Sequence, residues 1–401
     1  MLSRFIMRSA LLALAAVTPF ACAQDTAAPG VQAAALAPIP SGLISLEWQQ
    51  EARNLVATNR LSPLAGGRVY AALGVAQHRA IKNVDLLLPS DPAEPDVGYG
   101  QGGRRQFEAR RGAVAGASAR VLGFLFPAAA SALDQKVIDQ GNAGGLTHAQ
   151  FTRGVGIGRN AGDAMVEHLQ TDGFTRPWTG TVPAGPGLWI PNSLPPAGGT
   201  LGQVTPYFMS SGSQFRPAPP PAFGSAAFDT DLNEVLTRTQ NRTPAELALA
   251  IQWDYAAGTP TPLGYWNGVA EGYVGQSTMD ERAATEVFSL MHSAMFDALI
   301  GCWDAKYYYW TLRPTQANSA ISLAFALPNH PSYPSGHSCI SAAAGRILAN
   351  YFPDKSSELN AWVNDASLSR IVAGIHYRFD VTAGQALGIA VANLALSRGT
   401  P

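Results

Sequence analysis

The chain has 401 residues, 47% of them hydrophobic and 14% charged, with a formal net charge of −1. That length can bury a large core in one or two domains. The near-zero charge excludes the electrostatic footprint of a nucleic-acid or anionic-membrane binder. Taken in chain order, residues 1–23 read as an export signal. Arg4 and Arg8 precede an apolar run from Ala10 to Ala21, and Ala21-Cys22-Ala23 offers small residues for cleavage before Gln24. The expectation is an exported protein, periplasmic or secreted, and Pro19-Phe20-Ala21 matches lipid attachment at Cys22 poorly. The run is too short to span a bilayer, and no later segment reads as long and unbroken enough to do so.

Helical periodicity dominates and alternating apolar/polar runs are scarce, so the predicted fold class is all-α. Residues 43–60 and 63–82 predict a helical hairpin, the second helix opened by Ser62-Pro63. Helices follow over 103–126 and 128–140, and Thr147 is the expected N-cap of one running to about 170. Residues 40–175 thus form an N-terminal helical half. From 176 to 228 proline and glycine break the pattern, yet Trp178, Trp189, Tyr207, Phe208 and Phe215 lie in the same stretch. A flexible linker is poor in aromatics, so this reads as a long loop packed over a surface. Helices resume at 229–238, 243–256, 264–276, 280–313, 336–352, 356–373 and 380–397, within a C-terminal domain spanning 229–401. Cys302 and Cys339 are either a disulfide or two buried thiols; sequence does not say whether they are near.

Three segments of that domain carry chemistry. In Lys306-Tyr-Tyr-Tyr-Trp-Thr-Leu-Arg313-Pro314 the two cations are seven residues apart. On a helix that Pro314 ends, they would share a face with Trp303 and Trp310, as an anion site shielded by indoles or as a solvated face. In Pro334-Ser335-Gly336-His337, the Ser335 hydroxyl and the N–H groups of a helix start at Gly336 would face an oxyanion. His337 would exchange a proton there; the bland reading is a helix cap with an exposed histidine. In Ser369-Arg370-Ile-Val-Ala-Gly-Ile-His376-Tyr-Arg-Phe-Asp380, Arg370 offers a planar fork to an oxyanion. His376 can attack phosphorus or bind a metal through one ring nitrogen while Asp380 holds the other; the alternative is a core histidine paired to a carboxylate.

In this order and spacing the three segments resemble the signature of the superfamily that joins vanadium-dependent haloperoxidases, type 2 phosphatidic-acid phosphatases and bacterial non-specific acid phosphatases. That signature is Lys-x6-Arg-Pro, then Pro-Ser-Gly-His, then Ser-Arg-x5-His-x3-Asp. Trp303, Ser213-Gln-Phe-Arg-Pro217, Arg242-Thr243, Trp253 and Trp266-Asn267 look more weakly like bacterial haloperoxidase-type sequences. The resemblance implies two helical bundles with the active-site pocket in the C-terminal one. It implies that Lys306, Arg313 and Arg370 neutralise the oxygens of vanadate, that Ser335 and the Gly336 N–H bond them, that His376 holds vanadium and that His337 is the acid–base. In the phosphatases the same residues bind phosphate without a cofactor, and His376 becomes a nucleophile forming a phosphohistidine.

The favoured expectation is a haloperoxidase that oxidises halide with hydrogen peroxide. Chain length and the Trp303–Lys306 pairing favour it. His330, five residues before Ser335, resembles the bromoperoxidase pattern and favours bromide or iodide over chloride. The alternative is a periplasmic acid phosphatase acting on a phosphate ester, suggested by the short gap between His337 and Ser369. An anion-binding protein without catalysis would need neither His337 nor the His376–Asp380 pair. Asp297 and Asp304 default to solvent-facing carboxylates, Phe215 and Arg216 are candidates to cover the pocket mouth, and His78, His148, His168 and His292 have no visible role.

Overall fold

Capping side chains open several of the helices: Ser62, Ser225, Thr243, Asp280 and Ser335 each accept a backbone N–H of the first turn. The computed structural model describes residues 42–89, 103–143 and 148–401. The export signal over 1–23, Cys22 and the Thr147 cap lie outside the described residues. The N-terminal half contains α1 (Ile44–Thr58), α2 (Pro63–Leu87), α3 (Arg104–Leu125), α4 (Ala130–Asn142) and α5 (His148–Thr171). As expected, Ser62 caps α2: its side chain accepts from the Ala65 N–H, with Pro63 in the first turn. Helices α2, α3 and α5 pack together, and α2 also lies along the long helix of the second half. The α3–α5 contact is unusually close. A Cβ on Gly112 would lie 2.0 Å from the Phe151 carbonyl oxygen, and one on Gly158 2.0 Å from that of Ala113. Only glycine admits that backbone approach.

The second half contains α6 (Ala226–Gln240), α7 (Pro244–Gln252), α8 (Thr261–Gln276), α9 (Glu281–Tyr309), α10 (Pro314–Ala317), α11 (Gly336–Tyr351), α12 (Ser356–Val372) and α13 (Arg378–Arg398). Helices α9, α11 and α13 pack mutually, with α12 against α11. Gly388 lets α13 settle on α11, since a Cβ there would meet the Cys339 carbonyl oxygen at 2.2 Å. Among the described residues there is no strand, only two isolated β-bridges, so the all-α expectation holds. One expectation about membranes needs correcting. Helix α13 is long and apolar enough to cross a bilayer by length and composition. Here it packs on α9 and α11, and its first turn carries Asp380, buried without exposure.

The stretch between α5 and α6 is anchored to α9 through Asp297, which buries its carboxylate instead of facing solvent. Asp297, fully buried on α9, accepts the backbone N–H groups of Tyr207, Phe208 and Met209 at 2.8, 2.7 and 3.0 Å. Burial pushes its carboxyl up to about 6, and those three donors oppose the shift. Further along, Trp189 N–H donates to the Trp310 carbonyl at 2.7 Å and Ala197 N–H to that of Asn329 at 2.8 Å. The loop is therefore fastened to the end of α9 and to the segment before α11, the two places from which the candidate site is built.

Candidate active site

Helix α9 ends at Tyr309, not at Arg313. Trp310 takes a left-handed conformation (φ 54°, ψ 31°) and its N–H bonds the Lys306 carbonyl, reversing the chain. Arg313 is then the residue before α10, and Pro314 opens that helix in its first turn instead of closing the previous one. Lys306 and Arg313 thus do not share a helical face. They meet because both reach the segment 330–334. The Lys306 ammonium donates to the carbonyls of Pro331, Ser332 and Pro334 at 2.9, 2.7 and 2.5 Å. Arg313 Nε donates to the His330 carbonyl at 3.1 Å. Trp303 does lie by Lys306, with the ammonium 5.6 Å from its ring centre, whereas Trp310 packs on Trp189 and Tyr307.

His376 and Asp380 form the pair the spacing implied. The Nδ1 to Oδ2 distance is 2.7 Å. On the other side of the ring, Arg313 Nη1 donates to Nε2 at 3.1 Å. Arginine has only donors, so Nε2 must carry the lone pair and the proton must sit on Nδ1 facing Asp380. Burial, and then the surrounding cations led by Arg313, hold this imidazole well below its ordinary range. It is neutral at pH 7, and the contact with Asp380 is a hydrogen bond to a carboxylate, not an ion pair. No motif points to Ser332 in this arrangement. Its fully buried hydroxyl donates to the same Asp380 oxygen at 2.5 Å, and the Tyr377 N–H adds a third donor at 3.1 Å. Burial still pushes the Asp380 carboxyl up to about 6, and its Oδ1 is buried without a partner.

Ser335 is the N-cap of α11, its oxygen accepting from the Ser338 N–H. The N–H groups of Gly336 and His337 fall in the first turn, where a helix supplies no carbonyl for them. Gly336 is closely packed: a Cβ there would crowd the Trp303 ring at 3.1 Å. His337 bonds the Trp253 carbonyl through Nε2 at 2.8 Å. A carbonyl only accepts, so Nε2 holds the proton and Nδ1 is the basic nitrogen. Arg370, 1% exposed, donates to Ser369 Oγ at 2.9 Å and the Ala250 carbonyl at 3.0 Å. His330 accepts from Arg313 Nη2 on Nδ1 at 3.0 Å, with its ring 4.9 Å from that of Trp303.

The electrostatics of this cluster call for an anion. Lys306, Arg313 and Arg370 are buried, and none of them takes part in the ion pairs found among the described residues. Desolvation pushes Lys306 down to about 8, Arg313 to about 10 and Arg370 to about 9. A buried charge is ordinarily paired; here three cations face carbonyls, hydroxyls and neutral imidazoles. The donor set suits a multiply charged oxyanion with one histidine nitrogen beside it. Among the described residues no group of three or more His, Cys, Asp or Glu side chains forms a conventional metal-ligand set.

The remaining candidates fall elsewhere. Arg216 pairs with Asp304, Nε to Oδ2 at 2.7 Å and Nη2 to Oδ1 at 3.0 Å, and lies over the Tyr308 ring at 3.8 Å. Asp304 is accordingly a paired carboxylate and not a solvated one. Phe215 is partly buried against the main core. His292 is fully buried, bonded to Asn267 and stacked near Tyr70 and Phe288. His78 contacts Thr285, His148 the Gly141 carbonyl and His168 the Tyr207 ring. Cys302 and Cys339 are buried free thiols.

Residues 286–399 match the PAP2 superfamily, a span that holds every residue of the cluster from Lys306 to Asp380. A non-specific acid phosphatase of Providencia stuartii is 29% identical over 174 residues, 42% of this chain and 67% of that protein. Among solved structures, one described as the first bacterial vanadium-dependent iodoperoxidase aligns with a TM-score of 0.72 at 22% identity, covering 88% of this chain and 95% of the other. An apo bacterial vanadium-dependent chloroperoxidase aligns at 0.65 with 17% identity, covering 84% and 94%, and a holo form at 0.63 with 18%, covering 84% and 92%. The chain carries a PAP2 superfamily domain in its C-terminal part. Over the described residues its fold is the all-helical one seen in those haloperoxidase structures.

Proposed function

We propose that this protein is a vanadium-dependent haloperoxidase, oxidising bromide or iodide with hydrogen peroxide to the hypohalous acid. The observation that carries the reading is the neutral His376, its Nε2 lone pair kept free of a proton among three buried cations that make no direct ion pair with a carboxylate. Vanadate bound there would supply a Lewis-acidic centre that activates peroxide towards halide. The chain's own part is electrostatic and geometric. Lys306, Arg313 and Arg370 offset the oxyanion charge, and Ser335 and the Gly336 N–H donate hydrogen bonds to it. Asp380, held by Ser332, keeps the His376 proton on Nδ1, so that Nε2 is the atom presented to vanadium. His337, with Nε2 tied to Trp253, moves a proton through Nδ1.

The haloperoxidase reading is favoured over phosphate-ester hydrolysis by the reach of the structural likeness, 88% of this chain against the iodoperoxidase structure. The N-terminal half is included in that reach. The second reading, an acid phosphatase with His376 as nucleophile, is supported by the 29% identical phosphatase. The halide preference rests on His330, a polar ring bonded to Arg313 and set against Trp303. Export from the cytoplasm is part of the proposal, from residues 1–23.

The test is to strip phosphate from the purified protein, add orthovanadate, and follow peroxide-dependent bromination of a phenol dye beside hydrolysis of p-nitrophenyl phosphate. Vanadate-dependent bromination, lost in His376→Ala, is the expected result. Ester hydrolysis inhibited by vanadate, with no bromination, would establish the phosphatase instead. Chlorination as fast as bromination would refute the halide assignment alone.

A further inference from the structure

A line of hydrogen-bonding side chains runs from the surface to Ser335. Gln385 Nε2, on α13, donates to Ser367 Oγ at 3.0 Å. Ser367 Oγ, on α12, bonds Ser338 Oγ at 3.0 Å, and Ser338 Oγ bonds Ser335 Oγ at 3.0 Å. Ser335 and Ser338 are fully buried and Ser367 is 2% exposed, while Gln385 is partly exposed. Three helices thus contribute one side chain or more to a single file of polar groups that ends where the three cations converge.

Such a file has a direction, and the direction decides what Ser335 can do. A hydroxyl has one proton and two lone pairs, and in a row of hydroxyls each donates the same way. The amide nitrogen of Gln385 can only donate. It also faces Asn364 Oδ1 at 3.4 Å, which suits a nitrogen in that position. With Gln385 donating, Ser367 donates to Ser338 and Ser338 to Ser335. The Ser335 oxygen receives a second donor, the Ser338 N–H, at 3.4 Å. Both of its lone pairs are then occupied, and among the described residues no acceptor takes its proton. The hydroxyl is left with a single function, donation.

We infer that Gln385, Ser367 and Ser338 are positioning residues that polarise this file towards the pocket and make Ser335 an obligate donor to the bound oxyanion. The inference rests on the reading of the pocket as an oxyanion site. It extends the site through two helices to a residue on the protein surface, none of which touches the ligand. Reversing the file would turn a lone pair of Ser335 towards an anion, exchanging an attraction for a repulsion.

Gln385→Glu tests this because an ionised carboxylate only accepts, so Ser367 must donate outwards and the file reverses. Ala386→Glu, one exposed position further along α13, adds the same charge without touching Ser367. The probes are inorganic phosphate and orthovanadate, titrated calorimetrically into the metal-free protein. Losing a hydrogen bond to a charged acceptor changes affinity on the order of tenfold. The expected result is phosphate binding about tenfold weaker in Gln385→Glu, and changed less than about twofold in Ala386→Glu. In a Ser367→Ala background, where the file is cut, Gln385→Glu should have no further effect. Equal losses in the two glutamate variants, or a Gln385→Glu effect that persists beside Ser367→Ala, would overturn the inference. The comparison of the two surface variants stands even where Ser367→Ala does not fold. If the unaltered protein binds neither phosphate nor vanadate, it is the oxyanion reading that fails, an outcome distinct from either of these.

Discussion

In the N-terminal half Arg68 meets Asp172 at 2.7 and 3.0 Å, and Arg110 meets Asp85 at 2.8 Å. In the C-terminal half Lys306, Arg313 and Arg370 are more deeply buried than either, yet they meet backbone carbonyls, hydroxyls and imidazoles. The two halves thus treat the same kind of charge in opposite ways. A buried arginine with its carboxylate is internally neutral and holds helices in register. A buried cation without a direct carboxylate partner retains an electrostatic demand that a bound anion would meet. The histidines divide likewise. His292 and His376 are both buried and neutral, but His292 is surrounded by Tyr70, Phe288 and Asn267, whereas His376 stands between a carboxylate and an arginine. Burial alone does not mark a site; the chemistry of the partners does.

The contrast is broken most directly by removing one cation from each half. Lys306→Met should weaken phosphate and vanadate binding by on the order of 100-fold or more and abolish turnover. Its stability without anion should change by less than about 2 kcal/mol, because relief of a buried charge offsets three lost hydrogen bonds. Arg68→Ala should do the reverse. Leaving Asp172 buried and unpaired costs about 3–5 kcal/mol, with anion affinity in the surviving folded fraction close to that of the unaltered protein. Chemical denaturation and calorimetric titration of both variants measure the two effects separately. A Lys306→Met protein as destabilised as Arg68→Ala would mean that the lysine is structural.

A smaller effect sharpens the same point without mutation. Phosphate at about 100 times its dissociation constant should stabilise the protein by about 2.7 kcal/mol, read as a rise in melting temperature. The pH dependence follows from the shifts. Lys306 lies at about 8 when folded against 10.5 as its ordinary value. Between those values the unfolded chain binds the more protons, so the lysine's contribution to stability increases as pH rises through that window. Asp380 has the opposite shift, to about 6 from 3.8, and its contribution falls as pH rises from 3.8 to 6. An anion restores the charged lysine, so binding above pH 8 requires proton uptake. The stabilisation by phosphate should therefore be full near pH 7 and shrink by pH 9.5. A constant increment across that range would separate Lys306 from the anion.

The parts of this site that were legible in the sequence are those fixed by local spacing. His376 and Asp380 are four residues apart, and Ser335-Gly336-His337 opens a helix, so both arrangements could be read from the chain. The parts that were not legible depend on contacts between residues far apart in the chain. Ser332 reaches Asp380 across 48 residues, His337 bonds a carbonyl 84 residues away, and Asp297 holds three N–H groups of a loop that carries no motif for it. The last two are contacts from a side chain to a backbone group, which leave no residue-type signature at the backbone end, and nothing local couples Ser332 to a carboxylate 48 residues away. The helix boundary at Tyr309 failed for another reason. Trp310 adopts a positive φ, a state that bulky residues rarely enter, and apolar periodicity simply continued past it.

The smallest expected effect concerns Arg216, where the contrast between the two kinds of cation meets its boundary case. Like Arg68 it has a bidentate carboxylate, and like Lys306 its partner lies on α9, only two residues from that lysine. Its position against Asp304 and over Tyr308 puts it with the paired cations. The side chains are 26% and 17% exposed, so solvent screens the pair and Arg216→Ala should cost no more than about 1 kcal/mol. Phosphate affinity and turnover should stay within about twofold of the unaltered protein, because Nε and Nη2 are both taken by the Asp304 carboxylate. Steady-state kinetics beside a thermal melt decide it. A large loss of turnover with little change in stability would show that proximity to Lys306 along α9 outweighs the carboxylate partner, and that pairing alone does not separate structural from functional cations here.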